Sequence, residues 1–235
     1  MSYLNVASGQ VVADLPGERR AAFVRRTYGH LAMAIAALAV VESQLLNMGM
    51  GPVMLQFLGA GMLNKLLFVG LFIGAGIVAD NWARSNHSKQ MQYVGLGLYI
   101  VAEALILLPL LYLAQRYDPA AIMDAAIVTA GLVTGLTYVA FTTRKDFSFL
   151  GPFVAVGMMV AIGAVVAGIL FGFNLGVWFS FAVVALAAAS LLYQTSNVLH
   201  VYKETQHVAA ALGLFASVAL MFRFILDIFM HFGDD

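Results

Sequence analysis

The chain has 235 residues, 62% of them hydrophobic and only 10% charged, with a mean hydropathy of +0.91 and twelve Lys+Arg set against twelve Asp+Glu. A soluble domain carries about 25% charged residues, so these ionic groups are too few to coat a water-soluble globule; a soluble enzyme, a disordered chain and a collagen-like chain are excluded. The even charge balance gives no basic excess for nucleic acid, and with no cysteine there is no disulfide, thiolate metal site or cysteine nucleophile.

Residues 1–27 are polar, carry Asp14, Glu18, Arg19, Arg20, Arg25 and Arg26, and lack the apolar run of a secretory signal. They form a cytoplasmic N-terminal segment ahead of a transmembrane domain over 28–235. About 20 apolar residues cross roughly 30 Å of hydrocarbon. Seven stretches meet that length: 28–46, 65–82, 91–113, 121–142, 149–172, 175–198 and 208–230. Segment 47–64, rich in Gly and Met, is predicted to be an external loop with a short interfacial helix; starting the second span at Val53 would bury Lys65 at mid-depth. Gly172-Phe173-Asn174 leaves room only for a tight hairpin between the fifth and sixth spans. Gly70 with Gly74, and Gly131 with Gly135, have the small-xxx-small spacing of helix contacts.

Basic residues orient these spans. Arg19, Arg20, Arg25, Arg26, Arg84, Lys89, Arg144, Lys145 and Lys203 fall on one side, Lys65 and Arg116 on the other, and Arg223 lies within the last span. The N-terminus is therefore expected in the cytoplasm and, with seven spans, the C-terminus outside.

Ionisable groups inside spans cost about 2.5–3.5 kcal/mol on insertion scales and are functional candidates by default. Five qualify: Glu42, Glu103, Asp124, Arg223 and Asp227. Asp124 follows Pro119 closely and suits the positive end of a helix dipole. Arg223 and Asp227 are spaced i,i+4 on one face, where an ion pair would lower the cost of both. Glu103 sits near mid-depth in Ile100-Val101-Ala102-Glu103-Ala104-Leu105 with no basic residue within two turns. Its carboxyl is either protonated or satisfied from another helix, and either state serves proton or cation movement. At the cytoplasmic end of the sixth span, Tyr193, Asn197 and His200 share a face flanked by Gln194 and Ser196. This group either caps the helix or lines a wet cavity. His200, Glu204 and His207 match no firm metal spacing, and no Walker loop, HExxH, GxSxG or Rossmann fingerprint occurs.

Phe141-Thr142-Thr143-Arg144-Lys145-Asp146-Phe147-Ser148-Phe149-Leu150-Gly151, between the fourth and fifth spans, resembles the signature of the Bax-inhibitor-motif (lifeguard) membrane proteins, bacterial branch. Phe23-Val24-Arg25-Arg26-Thr27-Tyr28 and Gln194-Thr195-Ser196-Asn197 support the resemblance, which covers the chain from about Phe23 onwards. It implies an all-α, seven-helix bundle with the last helix at the centre, wrapped by the first six. It also implies a pH-responsive cation leak, chiefly calcium, gated by two carboxylates that share a proton. Those positions correspond here to Gln194 and Ser217, with Gly213 one turn before. The implied device becomes a hydrogen-bonded latch of Gln194 and Ser217, with Asn197 and His200 nearby, and titration moves to Glu103 or Asp227.

The expected function is a calcium or proton pathway through the bundle, with Glu103, Asp227, Glu42 and Arg223 as ion-pathway candidates. No enzyme, cofactor or resident metal is expected; calcium or protons bind only in passing. The expected partner is the lipid bilayer. The alternative is a non-conducting regulator of membrane protein quality control, partnered with a membrane-anchored ATP-dependent protease. A reporter active only in the cytoplasm, fused after Asp235, should give no signal; a strong signal would contradict the odd span count.

Overall fold

The computed structural model describes residues 11–84, 88–143 and 145–233. Arg144 of the signature stretch lies outside them. The described chain is helical: α1 (Gly17–Asn47), α2 (Met50–Gly59), α3 (Met62–Ala83), α4 (Lys89–Tyr117), α5 (Pro119–Thr143), α6 (Leu150–Phe171), α7 (Gly176–His200) and α8 (His207–Phe232). All but α2 are long and apolar enough to cross a membrane, so the chain is an all-α bundle of seven candidate spans. The short α2 occupies the stretch between the first two.

Local chemistry sets the helix ends. Ser88 caps α4, its hydroxyl accepting from the Met91 N–H at 3.3 Å. Asp118 does the same for α5, accepting from the Ala121 N–H at 3.3 Å. At the end of α6, Gly172 adopts φ +72°, the left-handed conformation that glycine reaches without strain. The first helix departs from its hydrophobic stretch. It begins at Gly17 and carries Glu18, Arg19, Arg20, Arg25 and Arg26 on its leading turns. Hydropathy marks where a helix enters apolar surroundings, not where it starts, so these charged turns escape it.

The leading turns are tied down. Arg19 bonds the Glu204 carboxylate in the α7–α8 connection, its Nε at 3.1 Å from Oε1. The Val12 N–H donates to the Tyr202 carbonyl at 3.1 Å, burying Val12 and Leu15. Arg84 pairs with Asp80 at 2.8 Å and lies over the Tyr202 ring at 5.7 Å. Burial pushes the Tyr202 hydroxyl above its ordinary pKa. This basic end holds the start of α1, the end of α3 and the α7–α8 turn together.

The centre of the bundle is α8, buried from Val208 to Leu226 and packed against α1, α3, α4, α5 and α7. The expectation of six wrapping helices is corrected in one member: α6 lies against α3 and α7 and does not reach α8. Its sequence explains the position. From Leu150 to Phe171 it has no polar side chain, so nothing on it needs a protein partner and lipid serves every face equally well. The two glycine pairs are also corrected, since Gly70, Gly74, Gly131 and Gly135 have no neighbouring element within 4 Å of where a Cβ would stand. Spacing places two glycines on one face but does not say which face turns inward.

The close approach is at Gly95 instead, where a Cβ would stand 2.6 Å from the Ala79 carbonyl oxygen and 2.7 Å from the Ala83 nitrogen. Both are backbone atoms and cannot rotate away. Gly95→Ala should therefore part α3 from α4 and lower stability in detergent by about 1–3 kcal/mol. Gly97→Ala, in open space two residues on, should be neutral or slightly stabilising. Equal effects in chemical unfolding would contradict the packing.

Candidate functional site

Four ionisable groups approach one another inside the half of the bundle away from the basic end. Glu103 of α4 is 4% exposed and Glu42 of α1 is 5% exposed. Arg223 and Asp227 come from α8. Arg223 interacts electrostatically with both Glu103 and Asp227, and Glu103 with Glu42. The cation that Glu103 lacked within its own helix thus arrives from the central one.

The expected i,i+4 ion pair does not form; Arg223 and Asp227 divide their partners between neighbouring helices. The Arg223 guanidinium donates to the Ile106 carbonyl on α4 at 3.1 Å. Asp227 accepts from the Ser180 hydroxyl on α7 at 2.5 Å. Ile106 lies three residues before Pro109, which sits inside the continuous helix α4. A proline gives no N–H to the carbonyl four residues back, here that of Leu105, and crowds that turn, so the Ile106 carbonyl that Arg223 reaches is the neighbour of the one left without a helical donor. The Ile106 carbonyl and Ser180 are the partners that charge spacing alone does not reveal. Neither oxygen of the Glu42 carboxylate has a hydrogen-bond partner in the structure. Asp124 is exposed on α5, apart from this group.

The latch residues lie nearer the basic end, and depth sorts them. Gln194 and Gly213 stand the same number of residues from the ends of α7 and α8 where those helices meet, and so do Ser190 and Ser217. The structure pairs them accordingly. Gln194 lies against Gly213, where a Cβ would come within 2.9 Å of its amide. The Ser217 hydroxyl meets Ser190 at 2.9 Å and donates to the Gly213 carbonyl at 3.1 Å. The expected Gln194–Ser217 hydrogen bond is thus replaced by a Ser190–Ser217 bond, one helical turn deeper. The Gln194 Oε1 and Asn197 Oδ1 atoms are buried without a hydrogen-bond partner.

Beyond them the signature stretch docks on α7. The Ser196 hydroxyl donates to Asp146 at 3.1 Å and accepts from the Phe147 N–H at 3.0 Å, while the Ser148 N–H donates to Asp146 at 2.9 Å. The Ser148 bonds, with smaller help from Ser196 and His200, hold the Asp146 carboxyl below its ordinary pKa. A lowered carboxylate pKa supports the loop at neutral pH, and that support is lost as pH falls through the lowered value. His200 Nδ1 stands 2.9 Å from the Ser196 carbonyl oxygen. Thr195, Ser196 and His200, with Arg20 and Lys145, border a cavity of about 460 Å³. Glu204 pairs with Arg19, and the His207 ring packs edge-on against His30 at 4.9 Å, so His200, Glu204 and His207 each serve a different neighbour.

A bundle of seven candidate spans around an apolar central helix that carries Arg223 and Asp227 defines a multi-pass integral membrane protein. The family described as "Inhibitor of apoptosis-promoting Bax1" matches residues 20–234, and the chain belongs to it. An uncharacterized protein of Pseudomonas aeruginosa is 29% identical over 218 residues, covering 90% of each chain. Protein LIFEGUARD 4 of Arabidopsis thaliana is 28% identical over 220 residues, 90% of this chain and 85% of that protein. The protein named "Modulator of FtsH protease YccA" of Escherichia coli is 33% identical over 88 residues, 37% of this chain and 40% of its own. No solved structure matches the chain significantly.

Proposed function

We propose that the chain is a regulated cation leak, its basic end in the cytoplasm, with Glu103 as the internal cation site and Arg223 as the tethered charge that occupies it at rest. The observation that carries this reading is that the buried Glu103 of α4 lies within electrostatic reach of Arg223 on the central helix, which bonds the Ile106 carbonyl on the same α4. A carboxylate at that depth needs positive charge nearby. In the resting state Arg223 supplies it; a passing cation or a proton supplies it when Arg223 withdraws. Glu42 is the next acid along the route, towards the outer end of α1. The mobile ion is cargo, so neither a cofactor nor a chemical reaction is proposed.

Membership of the family agrees with this reading. The E. coli relative's name favours a second: a non-conducting modulator of a membrane protease, acting by contact. Purified protein in liposomes separates them, because a modulator alone leaves the vesicles tight.

Ionised Glu103 attracts cations and protonated Glu103 does not, so flux should fall on acidification. Glu103→Gln keeps volume and hydrogen-bonding capacity but not charge. Removing about 1.4 kcal/mol of cation stabilisation is a tenfold change, so calcium flux should drop by at least that factor and lose its pH response. Equal flux from wild type and variant at every pH would remove Glu103 from the pathway, and tight vesicles from both would favour the modulator.

A further inference from the structure

A second feature of the bundle shares Glu42 with the proposed ion route but opens towards a different face. A cavity of about 610 Å³ opens between α1 and α5, with α4 and α8 as its floor. The two helix backbones do not pack on each other; near the basic end the Tyr28 and Phe141 rings bridge them at 6.0 Å. Beyond that bridge the gap widens sideways, along helix faces that meet lipid. The walls are mostly apolar, formed chiefly by Leu38, Leu107, Leu111, Val133 and Phe215, with a few neutral polar side chains such as Ser43 and Asn47 among them.

One charged side chain lines this cavity. Glu42 is 5% exposed, and both of its carboxylate oxygens lack hydrogen-bond partners. The nearby hydroxyls do not serve it: Thr129 donates to the Ala125 carbonyl and Thr134 to the Ala130 carbonyl, each at 2.7 Å. The other acid within electrostatic reach is Glu103. Arg223 bonds Ile106 and lies outside the lining.

Volume and chemistry together select a ligand class. Pockets of about 300–1,000 Å³ hold drug-sized molecules. A mostly apolar lining with a single carboxylate suits an apolar body bearing one positive charge better than calcium, which takes six or more oxygens, and an anion would meet only negative charge. We propose that this cavity binds an amphipathic organic cation, an apolar body bearing one ammonium group, which enters sideways from the membrane and sets the ammonium against Glu42. A free lipophilic amine and the ammonium of an aminophospholipid share that chemistry.

The test uses the full chain in phosphatidylcholine nanodiscs, with dodecylammonium and 1-dodecanol as probes. Affinities come from the concentration dependence of the thermal unfolding midpoint. Wild type should bind the ammonium about tenfold more tightly than the alcohol, and Glu42→Gln should level the two. Ala126→Trp, at an exposed position on the cavity rim, should fill the space and weaken both; it decides the matter alone should the Gln variant not fold. Adding phosphatidylethanolamine should blunt the ammonium shift if a lipid headgroup is the natural occupant and leave it unchanged if a free amine is. Equal affinities for the two probes in wild type, full preference for the ammonium in Glu42→Gln, or undiminished affinity for the ammonium in Ala126→Trp, would overturn the proposal.

Discussion

An arginine within a bilayer must find acceptors where the solvent offers none. The half of this bundle away from the basic end is built around that demand. Arg223 reaches the Ile106 carbonyl and the field of Glu103, and to do so it draws α8 against α4. Asp227, one turn further along, draws the same helix against α7 through Ser180. A purely apolar α8 could exchange places with α6 at little cost, because hydrocarbon does not distinguish a lipid tail from leucine. With Arg223 and Asp227 in place, only an interior position satisfies it.

The same sorting runs through the rest of the molecule. Ser217 on α8 meets Ser190 on α7, and the small residues Ala209, Ala210, Ala211 and Gly213 let α8 lie deep among its neighbours. Outside the apolar zone, charge does the equivalent work. The Arg19–Glu204 and Arg84–Asp80 pairs and the Val12–Tyr202 bond close the basic end, and Asp146 fastens the signature stretch to Ser196 of α7. Exposed pairs of this kind each contribute about 0–1 kcal/mol, so they set register more than stability. The interior groups carry the larger cost and the larger consequence.

The spans were legible because an apolar run of membrane length has few other interpretations, and the observed helix ends fall within a few residues of the hydropathy ends for six of the seven. The exception, α1, continues into charged turns that only a tertiary partner, Glu204, explains. The interior acids and Arg223 were legible as residues out of place, but their partners were not. Arg223 bonds a backbone carbonyl, and backbone carries no signature in a sequence. The latch went astray by one helical turn, since correspondence with a family motif preserves neighbourhood but not depth. Counting rise per residue from the two helix ends places Ser190, not Gln194, level with Ser217.

The central claim is that Arg223 and Glu103 belong to one interaction that holds α8 to α4. Unfolding free energies of Arg223→Met, Glu103→Gln and the double variant in one detergent test it most directly. Breaking a buried charge pair from one side costs about 3–5 kcal/mol, while replacing both members is often nearly neutral. Arg223→Met should therefore be severely destabilised, and adding Glu103→Gln should restore much of the loss. Strict additivity of the two single effects would show that the groups do not act together and would contradict the account.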